Sequence, residues 1–297
     1  MTPPPSATSG RKADSGAPRR GIRPRMAVFG APRRGIRPRM AEVGRRVVLA
    51  VGLPVLLVGT WWLVSAGSTD FYRPPLSKIL VAFRETWFGP RLVDDVLPSL
   101  ARLGLGYAVA LVLGVLVGVA TGLSRTLRAV VEPVLEFLRA IPPPVLVPIL
   151  ILVAGIGNTM KVLVIVSGCV WPVLLNTVEG VRGVDEVLAD TCRSYRIRGR
   201  ARLWHLVLRS ASPQIVTGAR QGLSVGIILM VISEMFAASS GLGFTIVQFQ
   251  RGFQITEMWS GVLLLGLLGV LLSLAFRLVE HRVLGWYHGV RAAARER

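Results

Sequence analysis

From residue 47 onward the sequence alternates long apolar runs with short polar stretches. A helix crosses a bilayer with about 20 mostly apolar residues. Residues 47–67, 97–123, 215–238 and 258–278 each meet that requirement. Residues 131–180 form one longer apolar region, broken by Gly155-Ile156-Gly157-Asn158, and glycine at such a break divides it into a third and a fourth span. The pattern predicts an all-α polytopic membrane protein of about six transmembrane helices, with a transmembrane domain over 47–285. Trp61 and Trp62 stand near the end of the first run, where interfacial tryptophans anchor a span.

Residues 1–46 contain no apolar run and are rich in Pro, Gly and Arg, so they read as a disordered basic tail without a cleavable leader. The tail holds a tandem repeat, APRRGIRPRMAVFG at 17–30 and APRRGIRPRMAEVG at 31–44. Neither copy can bury a core. A duplication in an unconstrained tail accounts for it, as does a true start at Met26 or Met40; a lipid-surface arm is the functional alternative. Residues 286–297 form a second basic tail.

The 297 residues are 52% hydrophobic with a net charge of +19, and the charge is confined to segments between the runs. Arg125 and Arg128 follow the second span. Arg182, Arg193, Arg196, Arg198, Arg200, Arg202 and Arg209 follow the fourth, and Arg277, Arg282, Arg291, Arg295 and Arg297 follow the sixth. The alternate loops are balanced or nearly uncharged. Arginine enrichment on one side predicts that both termini are cytoplasmic. It also argues against a nucleic-acid-binding protein, because no soluble face collects the charge. Cys169 and Cys192 fall in an apolar run and a basic loop, which gives no basis for a disulfide. His205, His281 and His288 have no metal-ligand spacing.

The longest interior loop, 182–214, carries the most information. Leu188, Cys192 and Tyr195 share a helical face, as do Leu203, Leu206 and Val207, which predicts two short helices separated around Arg198-Gly199. A structured charged loop reads either as a dock for a soluble partner or as a basic loop held by headgroups. The only lysines, Lys12, Lys78 and Lys161, follow Arg11, Ser77 and Met160. The chain therefore has no Gly-Lys dipeptide and no P-loop.

The loop resembles the coupling loop of binding-protein-dependent ABC importers, patterned Glu-Ala-Ala, three residues, Gly, nine residues, Ile-x-Leu-Pro. Aligned on Leu208, Asp190 takes the Glu position, Thr191 and Cys192 the two Ala positions, and Leu206 the Ile position. Further segments are similar to the nitrate, sulfonate and taurine branch: Arg139-Ala-Ile-Pro-Pro-Pro followed by Gly155-Ile-Gly, Trp171-Pro-Val-Leu-Leu-Asn176, Ser233-Glu234-Met, and Ala238-Ser-Ser-Gly-Leu-Gly243. Together they span 97–285.

The resemblance implies a type I importer (MetI-like) permease fold in the bacterial inner membrane, working as a homodimer among membrane lipids. It implies partner ABC ATPase subunits that hold the ATP and magnesium, an extracytoplasmic substrate-binding protein, and a small solute as cargo. Asp190, Thr191, Cys192, Ser194, Tyr195, Arg196, Gly199, Leu206 and Leu208 would then form the ATPase-coupling surface. No catalytic, cofactor or metal residue is expected on this chain. Two positions depart from the pattern. Arg196 replaces the family's Gly, and Arg209 replaces its Pro. Gly199 is expected to take over the turn.

Three features stand apart from the loop. Gly114, Gly118 and Gly122 repeat every four residues, a stripe for close helix packing within one subunit or at a dimer or gate interface. Glu234 is an intramembrane carboxylate, a pathway or gating candidate placed where water reaches the span end. Lys161 is expected to snorkel, and Asn176 to make a helix-packing hydrogen bond. An ATP-independent secondary transporter and a non-transporting scaffold remain the competing functions.

Overall fold

The computed structural model describes residues 52–236 and 238–287. The repeat-bearing tail 1–46, the start of the first apolar run (47–51), Ala237 and the terminal residues 288–297 with His288 lie outside the described residues. The chain divides into two compact units, Met1–Leu56 and Leu57–Arg297, and the packing described below is internal to the second.

Every regular element among the described residues is helical. The first apolar run yields α1, Gly52–Ser65. Its last residue, Ser65, accepts the Leu76 amide at 3.2 Å and so positions α2, Leu76–Trp87, an element the hydropathy pattern did not predict. α3 runs from Leu92 to Leu123, opening with a π turn at Leu92–Val96. Ser124 then caps α4, Arg125–Ala140, by accepting the Leu127 amide at 3.1 Å.

Pro142, Pro143 and Pro144 supply no amide N–H, and each pushes the preceding residue out of helical geometry. The chain re-forms as α5, Leu146–Ala154, bent by 76° from α4. Gly155, at φ +73°, closes α5, and α6 runs Asn158–Arg182. α7 is Glu186–Ser194, and α8 runs unbroken from Gly199 to Met235. α9, Leu242–Arg251, is the other unpredicted element, and α10 is Ile255–Val283.

α3, α6, α8 and α10 are each long and apolar enough to cross a membrane, and α4 with α5 meets the same length and composition only as a bent pair, the shape of a broken span or a re-entrant loop. α1 is apolar but shorter. The third of the expected spans is thus bent in its middle. The second short helix expected in the 182–214 loop is instead the first turns of α8.

α6 is the central helix, and glycine lets both neighbours approach it. A Cβ at Gly114 would lie 2.8 Å from the Val173 Cβ, at Gly118 2.7 Å from the Thr177 Cβ, and at Gly122 2.7 Å from the Val181 Cβ. The predicted stripe therefore faces α6 of the same subunit. A second stripe, on α8, approaches the opposite side: a Cβ at Gly218 would meet the Asn176 Cβ at 2.8 Å, and one at Gly226 the Cys169 Sγ at 2.9 Å. Asn176 donates to Gln221 at 3.2 Å, and Tyr107 donates across to the Ala219 carbonyl at 2.8 Å. Core side chains, among them Ala110, Val164, Ile165, Cys169 and Met230, fill the remaining space.

α10 closes against α2 through Trp87, which donates to Ser260 at 3.0 Å. Leu267, Val270, Leu271, Leu274 and Leu278 of α10 stay exposed, an apolar surface suited to lipid.

Filling the stripe tests this packing. Gly118→Leu is expected to destabilise the protein by about 1–3 kcal/mol, seen as earlier loss of monodisperse protein on heating in detergent. Gly266→Leu, where a Cβ meets nothing within 4 Å, should leave the profile unchanged. Equal behaviour of the two variants would show that the α3–α6 approach does not limit stability.

Candidate functional site

The loop between α6 and α8 is built around α7. Asp185 caps this helix, its Oδ1 accepting the amides of Val187 at 2.8 Å and Leu188 at 3.2 Å. Glu186 in the first turn and Arg193 in the last complement the helix dipole. At the other end the Ile197 amide reaches the Cys192 carbonyl at 2.9 Å, and the Arg196 amide reaches that of Arg193 at 3.0 Å. This pair of bonds defines a Schellman turn, whose key residue adopts a left-handed backbone.

That residue is Arg196, at φ +54°. The turn stays where the family pattern has glycine, contrary to the expectation that Gly199 replaces it. Gly199, at φ +58°, forms a second left-handed position that launches α8. A side-chain-bearing residue in this conformation costs about 1–2 kcal/mol.

α7 buries no residue. Asp190, Thr191, Ser194, Tyr195, Arg196 and Gly199 are exposed, Tyr195 at 77% and Val187 at 73%. Asp190 pairs with Arg193 at 2.9 Å in solvent, an interaction of little energetic weight. Cys192 and Leu208 are half-buried, and Leu206 is buried. Cys192 and Leu206 line the cleft beside α7, and the neighbouring Val207 and Ala211 pack with Val181. A cleft of about 290 Å³ separates α7 from the start of α8, lined by Leu188, Ile197, Leu206 and Trp286 among others. Arg209, at the family's Pro position, places its guanidinium 5.3 Å from the centre of the Trp286 ring, and α8 passes this point without a break.

The far end of the bundle holds the second feature. Glu234 is fully buried, so the expectation that water reaches it is corrected. Its carboxylate accepts from Arg102 Nη1 at 2.7 Å and from the Gly243 amide at 3.1 Å. The Ser99 hydroxyl lies 2.7 and 2.8 Å from its two oxygens and itself accepts the Leu242 amide at 3.0 Å. Arg102 Nε donates to Asn158 at 2.8 Å, and its Nη atoms reach the carbonyl and hydroxyl of Ser240, each at 3.2 Å. Asp95 accepts the Gly241 amide at 2.9 Å.

Gly241 has φ +123°, and a Cβ there would sit 2.5 Å from the Glu234 carboxyl carbon. The cluster ties α3, α6, α8 and the start of α9 together, with both charged groups hydrogen-bonded. Lys161 is buried nearby at 3% exposure rather than snorkelling. Arg102 was the missed signal, a lone cation inside an apolar span with Glu234 as its complement.

Residues 110–285 match the family described as "Binding-protein-dependent transport system inner membrane component". The chain is 33% identical to the taurine transport system permease protein TauC of Escherichia coli, over 84% of this chain and 93% of that one. It is 27% identical to the putative aliphatic sulfonates transport permease protein SsuC of Bacillus subtilis, over 79% and 86% respectively. It is 31% identical to the bicarbonate transport system permease protein CmpB of Synechococcus elongatus, over 60% and 65%. A chain of the MetNI methionine ABC transporter in an inward-facing conformation has the same fold, with a TM-score of 0.56 at 21% identity, covering 65% of this chain and 96% of that one.

Two predictions follow from the geometry. Arg102→Met strands a buried carboxylate and should cost about 3–5 kcal/mol. The double variant Arg102→Met with Glu234→Met should cost well below the sum of the single changes in a thermal-unfolding cycle, and strict additivity would mean the pair is not coupled. Arg196→Gly removes the strain in the α7 turn, offset partly by glycine's greater freedom when unfolded. It is expected to stabilise the turn by up to about 1 kcal/mol, measured as slower hydrogen exchange at the Ile197 amide; faster exchange would contradict the strain argument.

Proposed function

This chain belongs to the family of binding-protein-dependent transport system inner membrane components, and on that premise we propose that it is the translocating permease subunit of an ATP-driven importer. It is a multi-pass inner-membrane protein. Its cargo is a small solute of the sulfonate, taurine or nitrate kind; the oxyanion-bearing solutes named for its relatives support that class.

The observation that carries the coupling role is α7: a capped helix with no buried residue, presenting Val187 and Tyr195 at high exposure. Such a helix leaves most of its surface unused by its own chain, which fits docking into a cleft on a soluble ATPase. Short links on both sides join it to α6 and α8. Displacement of α7 by ATPase closure passes into those two helices, which glycine packs backbone to backbone. The Arg102–Glu234 cluster holds their opposite ends together, so the helices tilt as a unit rather than slide apart.

In this reading the termini and α7 face the cytoplasm, as the arginine distribution requires. ATP and magnesium belong to the partner ATPases. A second copy of the chain covers the exposed apolar side chains of α4 and α5, including Val134, Phe137, Leu152 and Val153. An extracytoplasmic binding protein delivers the solute at the opposite end. The buried acid–base pair, engaged with itself and its hydrogen-bonded neighbours, gives no support to an ion-coupled secondary transporter.

Co-purification from the native membrane in mild detergent tests the assignment. A P-loop ATPase is expected with the wild-type chain and is expected to be lost with Asp190→Ala plus Tyr195→Ala. Recovery of a folded chain with no ATPase would remove the proposed energy source.

A further inference from the structure

At the end of the bundle away from α7, a cavity of about 490 Å³ opens between Arg91 before α3, the end of α8, and α9. Its polar wall is Arg91, Gln248, Arg251 and Gln254, and Met235 and Phe244 add apolar surface. Among the described residues no carboxylate lines it. The volume lies in the range of about 300–1,000 Å³ that small-molecule sites occupy.

Both arginines keep donors for a ligand. Arg91 is aimed by stacking, with its guanidinium 4.9 Å from the centre of the buried Phe249 ring. Its approach to Asp95 is 3.6 Å, too long for a hydrogen bond. Asp95 is itself 7% exposed, and its other oxygen accepts the Gly241 amide. Arg251 is exposed, and its side chain makes no ion pair or hydrogen bond among the described residues. The dipole of α9 accounts for a cation in its last turn. It does not account for the second arginine and the two glutamines on the same cavity.

The chain after α9 is folded so that these groups converge. The Gln254 amide reaches the Phe249 carbonyl at 2.9 Å, and the Phe253 amide reaches that of Gln250 at 3.2 Å, a Schellman turn like that of α7. Its left-handed residue is Phe253, at φ +58°, a conformation rare for a bulky side chain. The turn brings Gln254, beyond the helix, to the same wall as Gln248 and Arg251 within it. A guanidinium fork matches two oxygens of one oxyanion, and glutamine amides supply neutral donors for a third. Two cations against one buried acid select an anion, and the wall of Met235 and Phe244 takes a short organic chain.

We propose that this cavity is a receiving site for the oxyanion head of a small organic solute, held by Arg91 and Arg251 before the solute enters the bundle. The proposal rests on the importer reading, in which solute arrives at this end. A phospholipid phosphate carries the same chemistry, and the test separates the two sources.

The full-length chain, delipidated in detergent, is titrated with trifluoroethanesulfonate against sodium chloride at equal ionic strength, and binding is read by fluorine NMR. Arg251→Gln removes a cation that has no partner to disturb. Arg73→Gln removes an arginine outside the cavity, next to Tyr72, whose carbonyl accepts from Trp259 near the start of α10. Wild type is expected to bind, with affinity about tenfold weaker in Arg251→Gln and unchanged in Arg73→Gln. No binding by wild type, equal affinity in wild type and Arg251→Gln, or equal weakening by the two variants would overturn the site. In a second arm, protein released from phosphatidylethanolamine–phosphatidylglycerol nanodiscs is weighed by native mass spectrometry, and equal lipid retention by wild type and Arg251→Gln is expected. A phospholipid kept by wild type and lost by Arg251→Gln, with no trifluoroethanesulfonate binding after delipidation, would overturn the solute in favour of lipid. Neither arm uses the ATPase or the binding protein, so failure here is distinct from failure of the co-purification.

Discussion

Arg102 and Glu234 meet at 2.7 Å with both side chains buried, at the end of the bundle away from α7. Neither could remain there alone, because an unpaired ion in a low-dielectric interior costs several kcal/mol. Their mutual burial therefore dictates what surrounds them. Ser99, Asn158, Ser240 and the Gly243 amide supply the pair's other hydrogen bonds, from three separate stretches of chain. The chain between α8 and the first turn of α9 takes its path because it delivers a carbonyl, a hydroxyl and three amides to this cluster and to neighbouring Asp95. The charged cluster and the two glycine stripes are complementary. The stripes bring α3, α6 and α8 within van der Waals reach along their lengths, and the ion pair fixes their register at one end.

Much of the architecture is legible from periodicity because lipid imposes a simple rule on sequence: an apolar run of sufficient length is a helix. The runs at 97–123 and 258–278 sit within α3 and α10, and the glycine break at 155–157 marks a true helix boundary. What escaped is what hydropathy does not encode. α2 and α9 are short and amphipathic, so they read as loop. The bend at Pro142, Pro143 and Pro144 lies inside an apolar region whose composition looks continuous. The beginning of α8 is polar, which disguised it as a separate short helix.

The candidate sites divide in the same way. Asp190 and Thr191 are named by the resemblance to the importer loop pattern, and Tyr195 also lies on a helical face; the structure adds that all three are exposed on or beside α7. The role of Glu234 was not legible in the chain, since its partner lies 132 positions away. A lone arginine inside an apolar run is the sort of residue that needs a partner, and searching for one would have found Glu234. Arg196 illustrates the opposite limit. Its identity argued for a displaced turn, yet the hydrogen bonds of the turn hold the backbone in place and the side chain bears the strain.

Gly241 gives the Arg102–Glu234 cluster an evolutionary character that its neighbours lack. Glycine is the only residue without a Cβ, so every missense change at this position introduces the same first atom into the same carboxylate. There is no conservative neighbour for selection to explore, and no gradual path of drift. By contrast the solvent-facing side chains of α7 are free to co-vary with whatever surface they meet. The exposed side chains of α7 meet no such restriction from their own fold, whereas the segment around Gly241 is held to one solution.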